Sequence, residues 1–178
     1  MSGALQKPAG WIARTVLYCD MDKILVSACL MGRPVRYDGG AKDLLHPALA
    51  RWKAEDRLVI TCPEMAGGLP VPRPPAEIAP EGSRVIDAAG TDVTRAFEEG
   101  ARIALELARA AGCRFALLKE NSPSCGTAEI YDGYFRGRRK PGDGMTAALL
   151  RRHGILCFGE SEIEALITHV EGGGTLPG

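Results

Sequence analysis

The feature that most constrains the fold is an alternation of short apolar segments with longer segments of helical periodicity. The apolar segments predict four β-strands, at residues 23–28, 57–61, 114–118 and 155–158. Apolar residues at helical spacing predict four α-helices, at residues 44–55, 93–111, 145–153 and 162–170. Strands that are apolar throughout are typical of a parallel sheet buried on both faces. We therefore expect an α/β fold, a single domain with a mostly parallel, Rossmann-like sheet and helices on both faces.

Local signals predict how two of the helices pack and begin. Leu45, Leu49 and Trp52 recur at helical spacing, which predicts the buried face of the first helix. Ser161 and Glu164 match the capping-box pattern, so Ser161 is expected to cap the last helix.

Length and charge limit the classes of protein to consider. The chain has 178 residues, which suits one domain, and its 22 basic and 22 acidic residues give a formal net charge of zero. A protein that binds duplex nucleic acid usually has a basic excess, so a small-molecule partner is favoured and no nucleic acid is expected. No apolar run approaches the ~20 residues that span a bilayer, so no membrane association is expected.

The two ends of the chain are expected to lie outside the folded domain. Regular structure is predicted to begin just after Met21, so residues 1–21 are interpreted as an N-terminal extension and Met21 as a candidate start. The extension lacks the pattern of a signal peptide, which favours the cytoplasm. The domain is expected to cover residues 22–171, and residues 172–178 are predicted to be a flexible tail. The sequence leaves open whether the protein is a monomer or a homodimer.

Three of the six cysteines follow predicted strands. Cys29 and Cys62 come directly after the first and second strands, and Cys125 lies in the loop after the third. The carboxyl ends of parallel strands share one edge of a sheet, where open α/β folds bind ligands. We therefore expect these three cysteines to converge. Cys19, Cys113 and Cys157 are interpreted as structural.

Three thiolates without a fourth protein ligand suit two kinds of site. A zinc site with three protein ligands keeps one position open for catalysis. An iron–sulfur cluster held by three cysteines leaves one iron open, whereas most clusters take four. Burial as small apolar side chains is the third interpretation. The residues alone do not decide among them.

Several motifs resemble a small bacterial family that includes the 2-thiouracil desulfurases. The resemblance covers about residues 22–170. Its six motifs, in order, are VSACLMG (26–32), RYDG (36–39), CPEM (62–65), GGLP (67–70), PRPPAE (72–77) and SPSCG (122–126), and the single residue Lys119 precedes the last of them. Each motif alone is weak, but six in this order are specific.

The resemblance implies an enzyme with a 4Fe–4S cluster held by three cysteines, here Cys29, Cys62 and Cys125, whose fourth iron is open to substrate sulfur. It implies a catalytic glutamate and serine, here Glu64 and Ser122, with the adjacent Ser124 as an alternative serine. The implied reaction is a non-redox desulfuration of a thiolated pyrimidine such as 2-thiouracil, which gives uracil and sulfide.

The implied chemistry is consistent with the residue types. A soft iron suits a soft sulfur, and a carboxylate such as Glu64 can take the proton of the attacking water. Ser122 can donate a hydrogen bond to the substrate or guide the proton. Asp38 either positions the substrate or forms a turn, and the sequence does not decide between these roles.

Two other functions remain open at this point. One is a cysteine- or zinc-dependent hydrolase that uses Cys62 or Cys125, although no histidine lies near the three loops to activate a thiol. The other is a metal or cluster carrier without turnover, which gives no reason for Glu64 beside Cys62. The exact thiolated substrate is also open.

Overall fold

A computed structural model of the protein describes residues 21–172 and has the predicted α/β fold. The strands are β1 (Lys23–Ser27), β2 (Leu58–Thr61), β3 (Ala76–Ile78), β4 (Val85–Asp87), β5 (Cys113–Leu118), β6 (Glu129–Tyr131), β7 (Arg139–Pro141) and β8 (Leu156–Gly159). The α-helices are α1 (Pro47–Ala54), α2 (Pro63–Ala66), α3 (Thr94–Ala110), α4 (Met145–Arg152) and α5 (Ile163–Glu171). Strands β2, β1, β5 and β8 form, in that order, a parallel sheet, and β3–β4 and β6–β7 form two antiparallel pairs.

The parallel sheet is buried on both faces, as the apolar strands predict. In β1, Ile24 and Val26 pack with α1 and α5, in a core cluster that includes Trp52 and Leu166. Leu25 points to the opposite face, in a second cluster with residues of α3 and α4. The alternation along one strand therefore supplies both cores, and none of these β1 side chains is exposed.

The first helix begins later than predicted, and the prediction that Leu45 lies on its buried face is wrong. Helix α1 begins at Pro47, and Leu45 is 85% exposed, whereas Leu49 and Trp52 are buried. A proline restricts the preceding residue to extended backbone, and His46 accordingly has φ −141° and ψ 135°. The His46 ring accepts a hydrogen bond from the Ala48 N–H at 3.2 Å, so the helix is capped at this point.

The predicted capping box at Ser161 is also wrong. Ser161 lies within a 3₁₀ turn, Glu160–Glu162, and α5 begins only at Ile163. The Glu162 carboxylate accepts a hydrogen bond from the Gly159 N–H at 2.8 Å. The Glu162 carboxylate therefore caps the 3₁₀ turn at Gly159, two residues before the cap that the sequence pattern predicts at Ser161.

Most predictions for the two chain ends fall outside the described residues. The extension at residues 1–21 and the tail at residues 172–178 therefore stay predictions, as does the cytoplasmic location. Within residues 21–172, each helix is too short or too polar to cross a bilayer.

Two glycines bring α2 into direct backbone contact with α3. A Cβ on Gly100 of α3 would overlap the carbonyl oxygen of Pro63, and a Cβ on Gly67 would overlap that of Ala96. Gly68 follows with φ 95°, a left-handed conformation that side chains disfavour. The glycines therefore fix α2, and with it the residues on either side of Pro63, against the long helix.

We expect Gly100→Ala to destabilise the protein, although alanine is the better helix former by roughly 1 kcal/mol. The new methyl group must displace α2, and overpacking of this kind costs about 1–3 kcal/mol. Glu98→Ala, on the exposed surface of the same helix, is the control and should change stability little. Urea denaturation measures both free energies of unfolding; a Gly100→Ala variant as stable as wild type would contradict the close contact.

Candidate active site

The loops that follow β1, β2 and β5 meet at one edge of the sheet. Cys29 lies in the 3₁₀ turn Ala28–Met31, Cys62 immediately precedes α2, and Cys125 lies in the loop after β5. All three cysteines line one cavity of about 60 Å³. The structure therefore brings together the three cysteines that the sequence predicts to converge.

The cysteines interpreted as structural lie elsewhere. Cys113 and Cys157 are buried in the core between the sheet and helices α3 and α4. Cys19 lies outside the described residues. The five cysteines in residues 21–172 are all free thiols.

The electrostatic environment of the cavity disfavours free thiolates. Burial, with a smaller contribution from the neighbouring Cys62, raises the pKa of Cys29 to about 11. Burial likewise raises the pKa values of Cys62 and Cys125, and Glu64 adds to both effects. Three thiolates would therefore need a compensating positive charge, which a metal centre supplies with release of the thiol protons.

The spacing of the thiols differs from that of a site for a single ion. Within residues 21–172, no group of three or more His, Cys, Asp or Glu side chains is close enough to hold one metal ion. The cysteines of an iron–sulfur cluster bind different irons, so their sulfur atoms do not have to meet at one point. The donor set of three soft thiols fits such a cluster.

Glu64 lies in the first turn of α2, two residues after Cys62. Its carboxylate is only 16% exposed and forms an ion pair with Arg73, whose side chain is 6% exposed. The Arg73 Nε and Nη2 atoms both donate to Glu64 Oε2, at 2.8 and 2.5 Å. The sequence does not predict this pairing, because an ion pair across a proline-rich loop leaves no local pattern.

Ser122 directs its hydroxyl group at the other oxygen of Glu64. The Ser122 Oγ atom accepts hydrogen bonds from the backbone N–H groups of Ser124 and Cys125, both at 3.1 Å. Its own hydrogen points to Glu64 Oε1 at 3.3 Å. Since both lone pairs of the hydroxyl oxygen are engaged, its proton is the only part of the group left to act on another atom.

Ser124, the alternative serine, faces the core instead. It is 1% exposed and shares a hydrogen bond of 2.8 Å with the hydroxyl group of Thr146, which is fully buried. Ser124 is not among the residues that line the thiol cavity. The geometry therefore favours Ser122 over Ser124 as the serine at the site.

The loop that carries Cys125 is tight for steric reasons. A Cβ on Gly126 would lie 2.9 Å from the Glu129 carbonyl oxygen and 3.0 Å from that of Ser122, so only glycine fits. Gly126 does not have a positive φ, and the positive φ of this loop, 60°, belongs to Asn121. Close approach, rather than an unusual dihedral angle, accounts for this glycine.

A larger cavity of about 310 Å³ adjoins the thiol cavity. The residues that line both are Arg36, Tyr37, Glu64, Lys119 and Ser122. The remaining walls of the larger cavity include Tyr131, Asn121 and two prolines. Glu64 and Ser122 therefore lie where the two cavities meet.

Asp38 lies outside both cavities. Its carboxylate accepts a hydrogen bond from the Gly40 N–H at 2.9 Å and lies 3.5 Å from the Arg36 guanidinium. Neither cavity is lined by Asp38. Of the two roles considered for this residue, the structure supports the turn.

Lys119 is a further wall residue shared by the two cavities. Its ammonium group pairs with Glu160 and donates to the Glu120 carbonyl oxygen at 3.0 Å. Its charge lowers the pKa of the Cys29 thiol, although burial outweighs that effect. The resemblance includes Lys119 but assigns it no role. In the structure, its positive charge favours the thiolate form of Cys29.

The fold and the site together define an α/β protein with a thiol-lined cavity next to a larger, polar one. The sequence model described as 2-thiouracil desulfurase matches residues 24–162. The chain belongs to the 2-thiouracil desulfurase family.

Two individual proteins are similar to this chain. The solved structure of the 4Fe–4S-dependent thiouracil desulfidase TudS is 52% identical, with a TM-score of 0.82, and the match covers 84% of this chain and 98% of that one. The uncharacterized protein YbbK of Bacillus subtilis (strain 168) is 38% identical over 155 residues, 81% of this chain and 99% of its own length.

We expect Ser124→Ala to lower the free energy of unfolding by about 1–3 kcal/mol, because the buried Thr146 hydroxyl loses its partner. Adding Thr146→Val to this variant removes the stranded hydroxyl group and should restore much of the stability. Ser83→Ala, on the exposed surface, serves as the control. Chemical denaturation measures these proteins and the single Thr146→Val variant; additive losses in the double variant would contradict the pairing.

Proposed function

We propose that the protein is a 4Fe–4S-dependent enzyme that catalyses the non-redox desulfuration of a thiolated pyrimidine such as 2-thiouracil. The net reaction exchanges the sulfur of C=S for the oxygen of water, with uracil and sulfide as products and no electron transferred. The observation that carries the proposal is the position of Glu64 and Ser122 at the junction of a thiol-lined cavity and a larger cavity. Membership of the family and the likeness to TudS support it.

Cys29, Cys62 and Cys125 would hold the cluster. Each comes from a different strand end, and each lines the same cavity, so the ligands are positioned by the sheet rather than by one flexible loop. When bound, a cluster with three cysteine ligands supplies an open iron, a soft Lewis acid that suits substrate sulfur. The charge of the centre also offsets the burial that raises the pKa of each thiol.

The larger cavity would hold the pyrimidine ring. Its volume of about 310 Å³ falls within the range of small-molecule sites. Tyr37 and Tyr131 offer flat apolar faces, and Asn121 and Arg36 offer polar groups to the ring edges. The thiocarbonyl carbon would then lie near the junction, within reach of Glu64.

Glu64 would act as general base through Oε1. Its Oε2 atom accepts both hydrogen bonds from Arg73, so Oε1 is the oxygen available to a water molecule. That water attacks the thiocarbonyl carbon as its proton passes to the carboxylate. Proton transfer of this kind requires the base to lie within hydrogen-bond reach of the water. Oε1 lies 3.3 Å from the Oγ atom of Ser122, a residue that lines both cavities.

Ser122 would guide the proton. The backbone N–H groups of Ser124 and Cys125 fix its oxygen, so its hydrogen can turn only between Glu64 Oε1 and the cavity. The loop that aims Cys125 therefore aims Ser122 as well. A cluster carrier without turnover gives no reason for this serine–glutamate pair.

The direct test is an assay of anaerobically reconstituted protein with 2-thiouracil. Uracil and sulfide should appear in equal amounts, without an added reductant or oxidant. A brown protein that binds iron but releases no sulfide from any thiolated base would favour the carrier. A colourless protein that hydrolyses substrate would favour the hydrolase.

We expect alanine substitution of Cys29, Cys62 or Cys125 to abolish or destabilise cluster binding, because each substitution removes one of the three cysteines proposed to hold the cluster. Cys113→Ala and Cys157→Ser, in the core, are matched controls and should retain the cluster. Iron per chain and the visible absorption spectrum measure the outcome. Normal iron content in any of the first three variants would remove that cysteine from the ligand set.

We expect Ser122→Ala and Glu64→Gln to retain the cluster but to lose roughly 100-fold or more in turnover, as removal of a positioned proton-handling group does. Ser124→Ala is the matched control from the same loop and should keep its turnover per cluster. Iron content and rate are measured on the same preparation. An unchanged rate per cluster in Ser122→Ala would exclude Ser122 from the mechanism.

A further inference from the structure

Arg73 holds one oxygen of the Glu64 carboxylate and leaves the other to Ser122. Two nitrogen atoms of the guanidinium, Nε and Nη2, donate to the same oxygen, Oε2, at 2.8 and 2.5 Å. Oε1 receives the Ser122 hydroxyl at 3.3 Å. The two contacts fix the carboxylate against rotation about its terminal bond, so the two oxygens have different surroundings.

Arg73 is itself fixed by contacts with its own loop and with the loop that contains Val35 and Tyr37. Its Nη1 atom donates to the Pro70 carbonyl oxygen at 3.0 Å, and Nη2 also donates to that of Val35 at 3.2 Å. Its backbone N–H donates to the Tyr37 carbonyl oxygen at 2.8 Å. With its side chain only 6% exposed, the guanidinium is a rigid, water-excluded support for Glu64.

The surroundings of Arg73 favour a role through Glu64 rather than a contact with the pyrimidine. Arg73 lines the thiol cavity and a third, largely apolar cavity of about 190 Å³, whose walls include Leu69, Val93 and Phe97. It is not among the residues that line the larger cavity, where the pyrimidine would bind.

We propose that Arg73 is a positioning residue, which orients Glu64 so that Oε1 faces Ser122 and the attacking water. The proposal rests on the proposed desulfurase function. A buried ion pair contributes little net stability, because the loss of hydration offsets much of the attraction. The fork of the guanidinium instead supplies geometric precision, which a lysine ammonium lacks.

The first test is structural and does not depend on activity. Crystal structures of the metal-free wild type, Arg73→Gln and Arg73→Lys would show the Glu64 carboxylate directly. We expect it to leave Ser122 in Arg73→Gln and to occupy more than one orientation in Arg73→Lys. A carboxylate that keeps its wild-type orientation in both variants would overturn the proposal.

The second test is kinetic. With iron content unchanged, Arg73→Gln should lower kcat by on the order of 10- to 100-fold, as misplacement of a catalytic group does, and leave KM nearly unchanged. Arg73→Lys should recover part of the loss. Arg84→Gln, which breaks an exposed arginine–glutamate pair with Glu81, is the control and should leave both constants unchanged.

A double variant separates positioning from general damage to the fold. In a Glu64→Gln background, Arg73→Gln should cause little further loss of kcat, because the group that it positions has already been neutralised. Full additivity of the two losses, or a rise in KM alone, would overturn the proposal. If Arg73→Gln does not fold, Arg73→Lys provides both the crystal structure and the kinetics.

The outcomes for Arg73 and for the function are distinguishable. A wild-type protein without desulfurase activity contradicts the proposed function, and the crystal structures still decide whether Arg73 orients Glu64. An active wild type with fully active Arg73 variants contradicts only the positioning role.

Discussion

The site depends on the parallel pairing of β1 with both of its neighbours. Val26 is in register with Ile60 of β2 and with Leu117 of β5, so the three strands end at the same level. The chain that leaves each strand carries one of the three cysteines that line the thiol cavity. A slip of two residues in either pairing would move one thiol by nearly 7 Å along the sheet, at about 3.3 Å per residue. Burial of β1 on both faces prevents such a slip, because Ile24, Leu25 and Val26 each have a fitted place in one of two cores.

The position of Glu64 depends on a second constraint, the backbone contact between α2 and α3. Helix α2 has a single turn and cannot hold its own orientation, yet it carries Glu64 and follows Cys62 directly. Its backbone lies against α3 at Gly67 and Gly100, where no side chain fits between the two helices. The long helix α3 in turn packs on the sheet through Ala104 and Ala108. The position of the carboxylate therefore depends on the sheet through backbone contact, which is stiffer than contact between flexible side chains.

The sequence predicts the parts of this arrangement that follow from local patterns. Apolar strands and helical periodicity locate the sheet, and strand order places Cys29, Cys62 and Cys125 at one edge. Local patterns fail where another group determines the end of a helix or turn. Pro47 delays the start of the first helix, which leaves Leu45 exposed. Glu162, and not Ser161, caps the turn that precedes the last helix. The ion pair of Glu64 with Arg73 is outside the reach of pattern reasoning, because the path of the proline-rich loop between them is set by contacts with Val35 and Tyr37.

The charges at the site explain why Arg73 and Glu64 occur together beside the thiols. Glu64 raises the pKa values of Cys62 and Cys125, so an isolated carboxylate here would oppose the thiolates that a metal centre needs. The Arg73 charge acts in the opposite direction on Cys62 and lowers its pKa. The Glu64 carboxylate is thus tolerated beside three thiols because a cation is fixed on its Oε2 atom. The same guanidinium that balances the charge also occupies Oε2 and leaves Oε1 to Ser122, so charge balance and orientation follow from a single contact.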